Sequence, residues 1–281
     1  MSAIPPADLS VSIVVHELNQ AVLSQVLDCL VKAVDEARTA GLLDNTTLYL
    51  INNSDNCALL DALAESVDVS GLELLIRTGH GNIGYGRGHN LAITELAITD
   101  ITRDYHLVLN PDVYLKPDAL VHGLGWLQSQ PATVAVAPAI SNADGDPESA
   151  CKRYPSVLDL LLRGFAPGFV RRRFHRRLAD YDMRELSRTE PTTNIPIISG
   201  CCMLWRSSVL QALNGFDPRY FLYFEDFDLS LRAHQHGSLD FVPAMGITHL
   251  GGNAARKGLR HILMFARSGL RFFRTHGWRW L

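Results

Sequence analysis

The chain has 281 residues, 47% of them apolar and 20% charged, an ordinary globular composition with length for one large α/β domain or two small ones. A net charge of −3 argues against a general nucleic-acid binder, and no run reaches the roughly 18 uninterrupted apolar residues of a membrane span. Five cysteines without CxxC spacing fit reduced cytosolic thiols better than a disulfide framework or a cysteine metal site, and MSAIPPADLS lacks the basic and apolar regions of a secretory leader.

Residues 9–16 (LSVSIVVH) form a β-branched apolar run, the pattern of a strand buried in a parallel sheet. Helical spacing follows over residues 20–38 through Val22, Val26, Leu30 and Val34, closed by Gly41. Residues 47–51 (TLYLI) and 72–76 predict a second and a third strand. Strands alternating with helices imply βαβ units and a mostly parallel sheet, in which ligands bind outside the carboxyl ends of the strands. The polar residues just past each strand are therefore candidates: Glu17 and Asn19, Asn52 to Asp55, and the loop after Ile76.

That loop, residues 79–90 (GHGNIGYGRGHN), has neither the spacing of the dinucleotide fingerprint nor the GK[ST] ending of a P-loop. Its glycines permit close approach of backbone to a ligand, and a helix over 90–98 would aim its N-terminus at a diphosphate. The plainer reading is a flexible connector, against which Asn82, Arg87 and Asn90 supply hydrogen-bonding groups. Residues 105–109 (YHLVL) predict a fourth strand that ends in Asn110-Pro111-Asp112. This tripeptide is either a turn or a carboxylate site for Mg2+ or Mn2+, hard ions that take few protein oxygens and fill the rest with water and phosphate. A helix over 117–127 and a strand over 133–137 complete the first half.

The middle is less regular, with a turn-rich connection at 141–147 and an edge strand over 148–154. Over residues 163–188, Arg163, Arg171, Arg172, Arg173, Arg176, Arg177, Arg184 and Arg188 outnumber Asp180, Asp182 and Glu185. Phe165, Phe169, Val170 and Phe174 interleave with them, which suits an anionic membrane surface, an anionic acceptor or a solvated face. A strand-like run over 195–205 (IPIISGCCMLW) breaks at Gly200, and a short helix covers 207–213.

Residues 216–232 (FDPRYFLYFEDFDLSLR) set Asp217, Glu225, Asp226 and Asp228 among six aromatic residues. Desolvation there would raise carboxylate basicity, as a general base requires. The competing reading is negative charge in the first turn of a helix that pairs Asp228 with Arg232 and stops at Gly237, with Asp217 shaping the turn at Pro218. Short strands at 239–242 and 246–250 carry His249 to a Gly251-Gly252-Asn253 end, where it could complete a metal or phosphate site. The last stretch, 256–281, sets Arg256, Lys257, Arg260, Arg267, Arg271 and Arg274 among Leu259, Leu263, Phe265, Phe272, Phe273, Trp278 and Trp280. It reads as an interfacial membrane helix or as a helix packed on the domain with its arginines outward.

The segments SIVVHELN, INNSDN, GNIGYGRGHN, LVLNPDV, GDPESACKRYPS, ISGCCMLWR, GFDPRYFLYFEDFDLSLRAHQHG and THLGGN occur in this order over about residues 10–277. With them the chain resembles the family-2 glycosyltransferases, most closely their bacterial rhamnosyltransferase-like branch. The resemblance implies an α/β GT-A fold: a mostly parallel sheet in a Rossmann-like αβα sandwich, with a C-terminal amphipathic helix. It implies one domain over residues 1–253, with a nucleotide-sugar-binding half at 8–115, an acceptor-binding half at 116–253, and the helix at 254–281. The implied reaction is inverting transfer from a nucleoside-diphosphate sugar, dTDP-L-rhamnose first and another dTDP- or UDP-hexose second. The implied acceptor is a lipid-linked or lipopolysaccharide glycan at the cytosolic face of the inner membrane, with peripheral membrane contact and no nucleic acid.

Carried over by position, Asp226 matches the general base, with Glu225 orienting it or binding the acceptor. Asp112 matches the last carboxylate of the family's DxD motif and would hold Mg2+ or Mn2+ with His249 near. Asn82, Gly84, Gly86 and Asn90 match the loop around the donor. Asn19 and Asn52 fall where the base and ribose are contacted, and Asn110 takes the first DxD position. Glu17-Leu18-Asn19 and Asn52 depart from the family's Thr-Tyr-Asn and Asp, which motivates a second reading as a non-catalytic nucleotide-sugar-binding relative. A nucleotidyltransferase would want a glycine-rich basic loop after the first strand, where this chain has His16-Glu17-Leu18-Asn19.

Overall fold

A computed structural model of the chain describes residues 5–16, 19–54, 69, 71–98, 103–251 and 258–281. Glu17, Leu18, Asp55, Gly252, Asn253, Arg256 and Lys257 lie outside the described residues, as does the side chain of Leu259.

Strands β1 (Ala7–Val15), β2 (Leu43–Asn52), β3 (Glu73–Arg77) and β4 (Tyr105–Leu109) form a parallel block in the spatial order β3-β2-β1-β4. Helices α1 (Gln20–Thr39) and α2 (Tyr85–Ile98) supply its crossovers. Leu9, Val11 and Ile13 of β1 and Leu107, Val108 and Leu109 of β4 are fully buried, which is why both strands read as continuous apolar runs. Beyond β4 the sheet changes sense. β10 (Cys202–Arg206) runs antiparallel between β4 and β6 (Thr133–Ser141), followed by β11 (Ser238–His249), parallel to β6, and β5 (Val113–Leu115) at the edge. With β7 (Pro147–Glu148) on β6, this makes nine strands among the described residues. Helix α3 (Ala119–Ser129) packs on β11 and α1.

Four expectations shift. The helix expected from residue 90 starts at Tyr85, so Gly86 and Gly88 lie inside it. A Cβ on Gly86 would sit 2.8 Å from Phe216 Cβ, and one on Gly88 2.7 Å from Val14 Cγ2. Helix α2 therefore lies closer to β1 and to the 216 stretch than a larger residue allows. The two short strands expected at 239–242 and 246–250 are one strand, β11, whose register shifts between Val242 and Gly246. Pro243 lacks the N–H that a regular ladder would need there.

The expected edge strand over 148–154 divides into β7 and β8 (Cys151–Lys152), and the run 195–205 divides into β9 (Ile197–Ile198) and β10. β8 and β9 pair with each other in a small second sheet. The basic stretch lies on and after short helices α4 (Val157–Phe165), α5 (Gly168–Arg173) and α6 (His175–Tyr181), and α7 (Ser207–Ala212) and α8 (Glu225–Ala233) follow. The last helix, α9 (Gly258–His276), ends before the tryptophans. Residues 277–281 turn back instead: Trp278 stacks on Phe273 with centroids 5.2 Å apart, and Val157 N donates to Arg279 O at 2.8 Å. Phe272 and Phe273 are buried with Tyr220 and Phe224, so one face of α9 packs on the domain. No helix among the described residues is long and apolar enough to cross a membrane.

Candidate active site

Strand β4 delivers Asn110 and Asp112 to the carboxyl edge of the sheet. Asn110 N donates to Cys201 O at 2.9 Å, and Val113 begins β5 directly opposite His249 at the end of β11. This register brings His249 Nε2 to 3.4 Å from Asp112 Oδ1, with Glu148 Oε2 3.9 Å from the other ring nitrogen. Asp112 Oδ1 and Asn110 Oδ1 are both buried and have no hydrogen-bond partner among the described residues. A cleft of about 290 Å³ opens beside them, lined by Asn19, Val22, Leu23, Pro111, Asp112, Leu250 and Gly251.

Those two unspent oxygens are the test of whether a hard divalent ion fits. Buried oxygens without partners cost free energy that a cation would recover, and the His249 imidazole beside them is an acceptable further ligand type. Among the described residues no three His, Cys, Asp or Glu side chains converge closely enough to hold an ion unaided. A few protein oxygens completed by phosphate and water is the coordination such ions prefer. The residues fit.

On the other side of the 200–202 turn lies the carboxylate pair. Gly200 N donates to Asp226 Oδ2 at 2.9 Å and Phe227 N to Asp226 Oδ1 at 3.0 Å. Glu225 is 4% exposed, and its Oε2 has no partner among the described residues. Burial first, and then the neighbouring Asp226 charge, raise the Glu225 carboxyl to about 8. Burial also raises Asp226, opposed by the hydrogen bonds from Gly200 and Phe227. Burial pushes the Cys201 thiol up to about 12, and the turn at Gly200 and Cys201 contacts both carboxylate neighbourhoods, through Asn110 N to Cys201 O and Gly200 N to Asp226 Oδ2.

The pair is reached through two strained residues. Tyr223 and Phe224 precede α8 with φ of 70° and 67°, in the left-handed region that bulky side chains avoid. Helix α9 holds them there. Ser268 Oγ donates to Leu222 O at 2.8 Å, Tyr223 OH meets His261 Nδ1 at 2.9 Å, and Phe224 packs against Phe265 and Phe272. Asp228, expected to pair with Arg232, does so at 2.8 Å and also meets His276 Nε2 at 2.8 Å.

The family sequence model described as "Glycosyltransferase like family 2" matches residues 6–252. The chain belongs to this family. This glycosyltransferase-family chain is 32% identical over 183 residues to an N-acetylglucosaminyl-diphospho-decaprenol L-rhamnosyltransferase of Mycobacterium tuberculosis (strain ATCC 25618 / H37Rv), covering 62% of this chain and 58% of that one. It is 29% identical over 171 residues to Rhamnosyltransferase WbbL of Escherichia coli (strain K12), covering 59% and 61%. The matches thus span about three-fifths of those curated relatives. In structure it is similar to GalNAc-T7 with UDP, GalNAc and Mn2+, at a TM-score of 0.62 and 17% identity over 90% of this chain and 45% of that one. It is also similar to the mannosyltransferase PcManGT from Pyrobaculum calidifontis in complex with GDP-Man and Mn2+, at 0.59 and 13% over 96% and 67%. These likenesses show the fold, a GT-A-like α/β architecture.

In this family-2 chain the sequence-derived candidates fall into three groups. Asn19 and Asp112 line the cleft, His249 lies 3.4 Å from Asp112, Asn110 stands two residues before it, and Asn19 also caps α1 by accepting from Val22 N at 3.2 Å. Glu225 and Asp226 stand together across the turn. The loop candidates are spent internally. Gly84 has φ +91° and faces the Phe221 carbonyl, where a Cβ would collide, and Gly86 faces Phe216. Asn90 exchanges two hydrogen bonds with the Phe216 backbone, at 2.7 and 2.8 Å. Asn82 accepts from Gly84 N at 3.1 Å and reaches His16 at 3.2 Å, and Asn52 accepts from Ser54 N at 2.9 Å.

Asn53, one of the candidates past the second strand, donates to Gly84 O at 2.9 Å, and sequence reasoning missed Tyr85, whose OH donates to Gly200 O at 2.6 Å, and Lys152. Tyr85 and Lys152 lie within the quoted family segments, GNIGYGRGHN and GDPESACKRYPS, which was the available signal.

Proposed function

We propose that this chain transfers a sugar, best L-rhamnose from dTDP-L-rhamnose and otherwise another dTDP- or UDP-hexose, to a hydroxyl of a lipid-linked glycan, with inversion at the sugar. The observation that carries the proposal is that two carboxylates adjoin the Gly200-Cys201 turn, Asp112 at a cleft beyond Asn110, whose N–H donates to Cys201 O, and Asp226, which accepts from Gly200 N. Asp226 takes the proton from the acceptor hydroxyl. The hydroxyl oxygen bonds to the anomeric carbon, and the bond from that carbon to the diphosphate breaks with its electron pair on the leaving oxygen. Asp112, Asn110 and His249 would hold Mg2+ or Mn2+, which supplies charge neutralisation at the departing diphosphate. Asn19, at the cleft, serves the nucleotide, and Asn52 and Asn82 shape the loops behind it. Glu225, protonated at neutral pH, donates a hydrogen bond toward Asp226 or the acceptor.

Residues 8–115 form the donor half and 116–253 the acceptor half of one domain, with α9 as a brace. The acceptor, by analogy with the mycobacterial relative's name, is an N-acetylglucosaminyl-diphospho-polyprenol or similar glycan lipid. Exposed Phe165 and Phe169, close in sequence to Arg171, Arg172 and Arg173, support peripheral contact with the cytosolic face of the inner membrane. Replacing Asp226 by Asn tests the reading. Transfer should fall by about 10²–10⁴-fold, as for loss of a general base, while donor affinity measured by calorimetry stays. Retained transfer removes Asp226 as the base, and no turnover by the unaltered protein with any dTDP- or UDP-sugar and Mn2+ overturns the reaction.

A further inference from the structure

One carboxylate, Asp182, collects three cations. Its Oδ1 lies 3.2 Å from Lys152 Nζ and 3.0 Å from Arg163 Nη1, and its Oδ2 lies 3.5 Å from Arg184 Nη2. Lys152 and Arg163 also approach the Tyr181 ring, 5.8 and 6.0 Å from its centroid. The three cations outnumber Asp182, and Asp226 is the further carboxylate whose charge acts on Lys152, so the cluster stays net positive. Arg153, the next residue after Lys152, is taken by Asp180 and Glu185.

Lys152 is the buried member, its side chain 10% exposed against 51% for Arg163 and 68% for Arg184. An ammonium carries three N–H donors. Asp182 Oδ1 is the one acceptor within hydrogen-bond distance of Nζ among the described residues. A buried ammonium with donors unspent is costly, and burial pushes Lys152 below the usual lysine range, with Arg163 adding to it. An anion arriving among the three cations would remove that cost, and the guanidinium forks match phosphate oxygens.

The cluster adjoins the proposed base. In the small sheet Lys152 pairs with Ile197, Ser199 N donates to Ala150 O at 2.7 Å, and the following residue, Gly200, holds Asp226. None of the three cations lines the cleft beside Asp112. We propose that Lys152, Arg163 and Arg184 form a subsite for the diphosphate of a lipid-linked acceptor. A diphosphate diester brings two negative charges to this net positive cluster. The inference rests on the transfer reading above and names the part of the acceptor that this chain grips.

The test is calorimetric titration of octyl diphosphate into protein saturated with Mn2+ and with dTDP or UDP, so that the donor site is filled. The unaltered protein should bind. Arg163→Gln with Arg184→Gln, both on the surface, should weaken binding by about tenfold or more, as for lost charged hydrogen bonds, with nucleotide affinity unchanged. Lys152→Met should do the same, and if it does not fold the surface pair decides alone. Equal binding by the double variant, or none by the unaltered protein, overturns the proposal. Transfer assays separate the two readings. With N-acetylglucosaminyl-diphospho-octanol the double variant should raise KM by about tenfold with kcat within about threefold, and with octyl N-acetylglucosaminide it should change nothing. Diphosphate binding without transfer to either acceptor sinks the transfer reading alone. Transfer with equal loss on both acceptors sinks the subsite alone. If the double variant loses binding to phosphatidylglycerol vesicles while octyl diphosphate binding is unchanged, the arginines serve bilayer headgroups and the proposal fails.

Discussion

The two sides of the 200–202 turn are built on opposite principles. Around Asp112, strand ends present buried oxygens that bond to nothing among the described residues, next to an open cleft. Around Asp226, almost everything is spent. Two backbone N–H groups hold its carboxylate, α2 clamps the 216–221 stretch through Asn90 and Tyr85, and α9 pins the turn at 222–224. The first arrangement keeps polar capacity for a ligand. The second fixes direction, as the proposed role of Asp226 requires, since a general base must sit within a fraction of an ångström of its target. Two consecutive aromatic residues at positive φ cost on the order of 1–3 kcal/mol each, a strain that persists only where surrounding packing over-determines it.

That comparison breaks first, and by the largest margin, at Phe272. It is fully buried and touches Tyr154, Phe224 and Phe227. Phe272→Ala should destabilise the fold by about 3–5 kcal/mol, read from urea unfolding. Where the variant remains folded, kcat should fall more than KM rises, because the turn before Glu225 loses its brace. A loss under about 1 kcal/mol with unchanged kcat would mean that local sequence holds the strained turn and α9 does not.

The donor side should respond differently. Asp112→Asn removes a charge from a group whose side chain makes no hydrogen bond through Oδ1. Donor affinity in Mn2+ should drop by about 10–100-fold, measured by calorimetry, with the melting temperature of the ligand-free protein unchanged. EDTA should bring the unaltered protein to the same weakened affinity. An Asn variant whose affinity still depends on Mn2+ as before would place the ion on other residues.

The same division explains what the sequence made legible. β4 matches its expected span, and Asp112 and His249 stood out, because polar residues at the ends of apolar strands have few other uses. Gly84, Gly86 and Asn90 were legible as special but not as to purpose. A glycine looks the same in sequence whether its bare face meets a ligand or Phe216, and Asn90's partner lies 126 positions away. Lys152 and Asp182 are buried, yet no periodicity distinguishes them from surface charges, and the pairing of β8 with β9 brings Lys152 beside the turn. The aromatic setting of Glu225 and Asp226 did forecast the direction of their shifts. The hold of α9 on that setting runs through contacts 38–48 residues apart in sequence, which periodicity does not encode.

The smallest effect sharpens the comparison on the base side. In the unfolded chain Glu225 ionises near 4.5, and in the folded protein it keeps its proton to about 8. Between those values the folded state binds the extra proton, so stability should fall as pH rises through that window and level off above it. One proton accounts for a slope of at most about 1.4 kcal/mol per pH unit. Asp226 is shifted in the same direction and keeps its own contribution. Glu225→Gln cannot ionise, so urea midpoints taken from pH 5 to 9 should show a flatter decline than in the unaltered protein. Identical slopes would mean that Glu225 is already ionised near pH 5 in the fold. Its unpartnered Oε2 would then be a buried charge, and the base side would be storing electrostatic strain instead of having spent it.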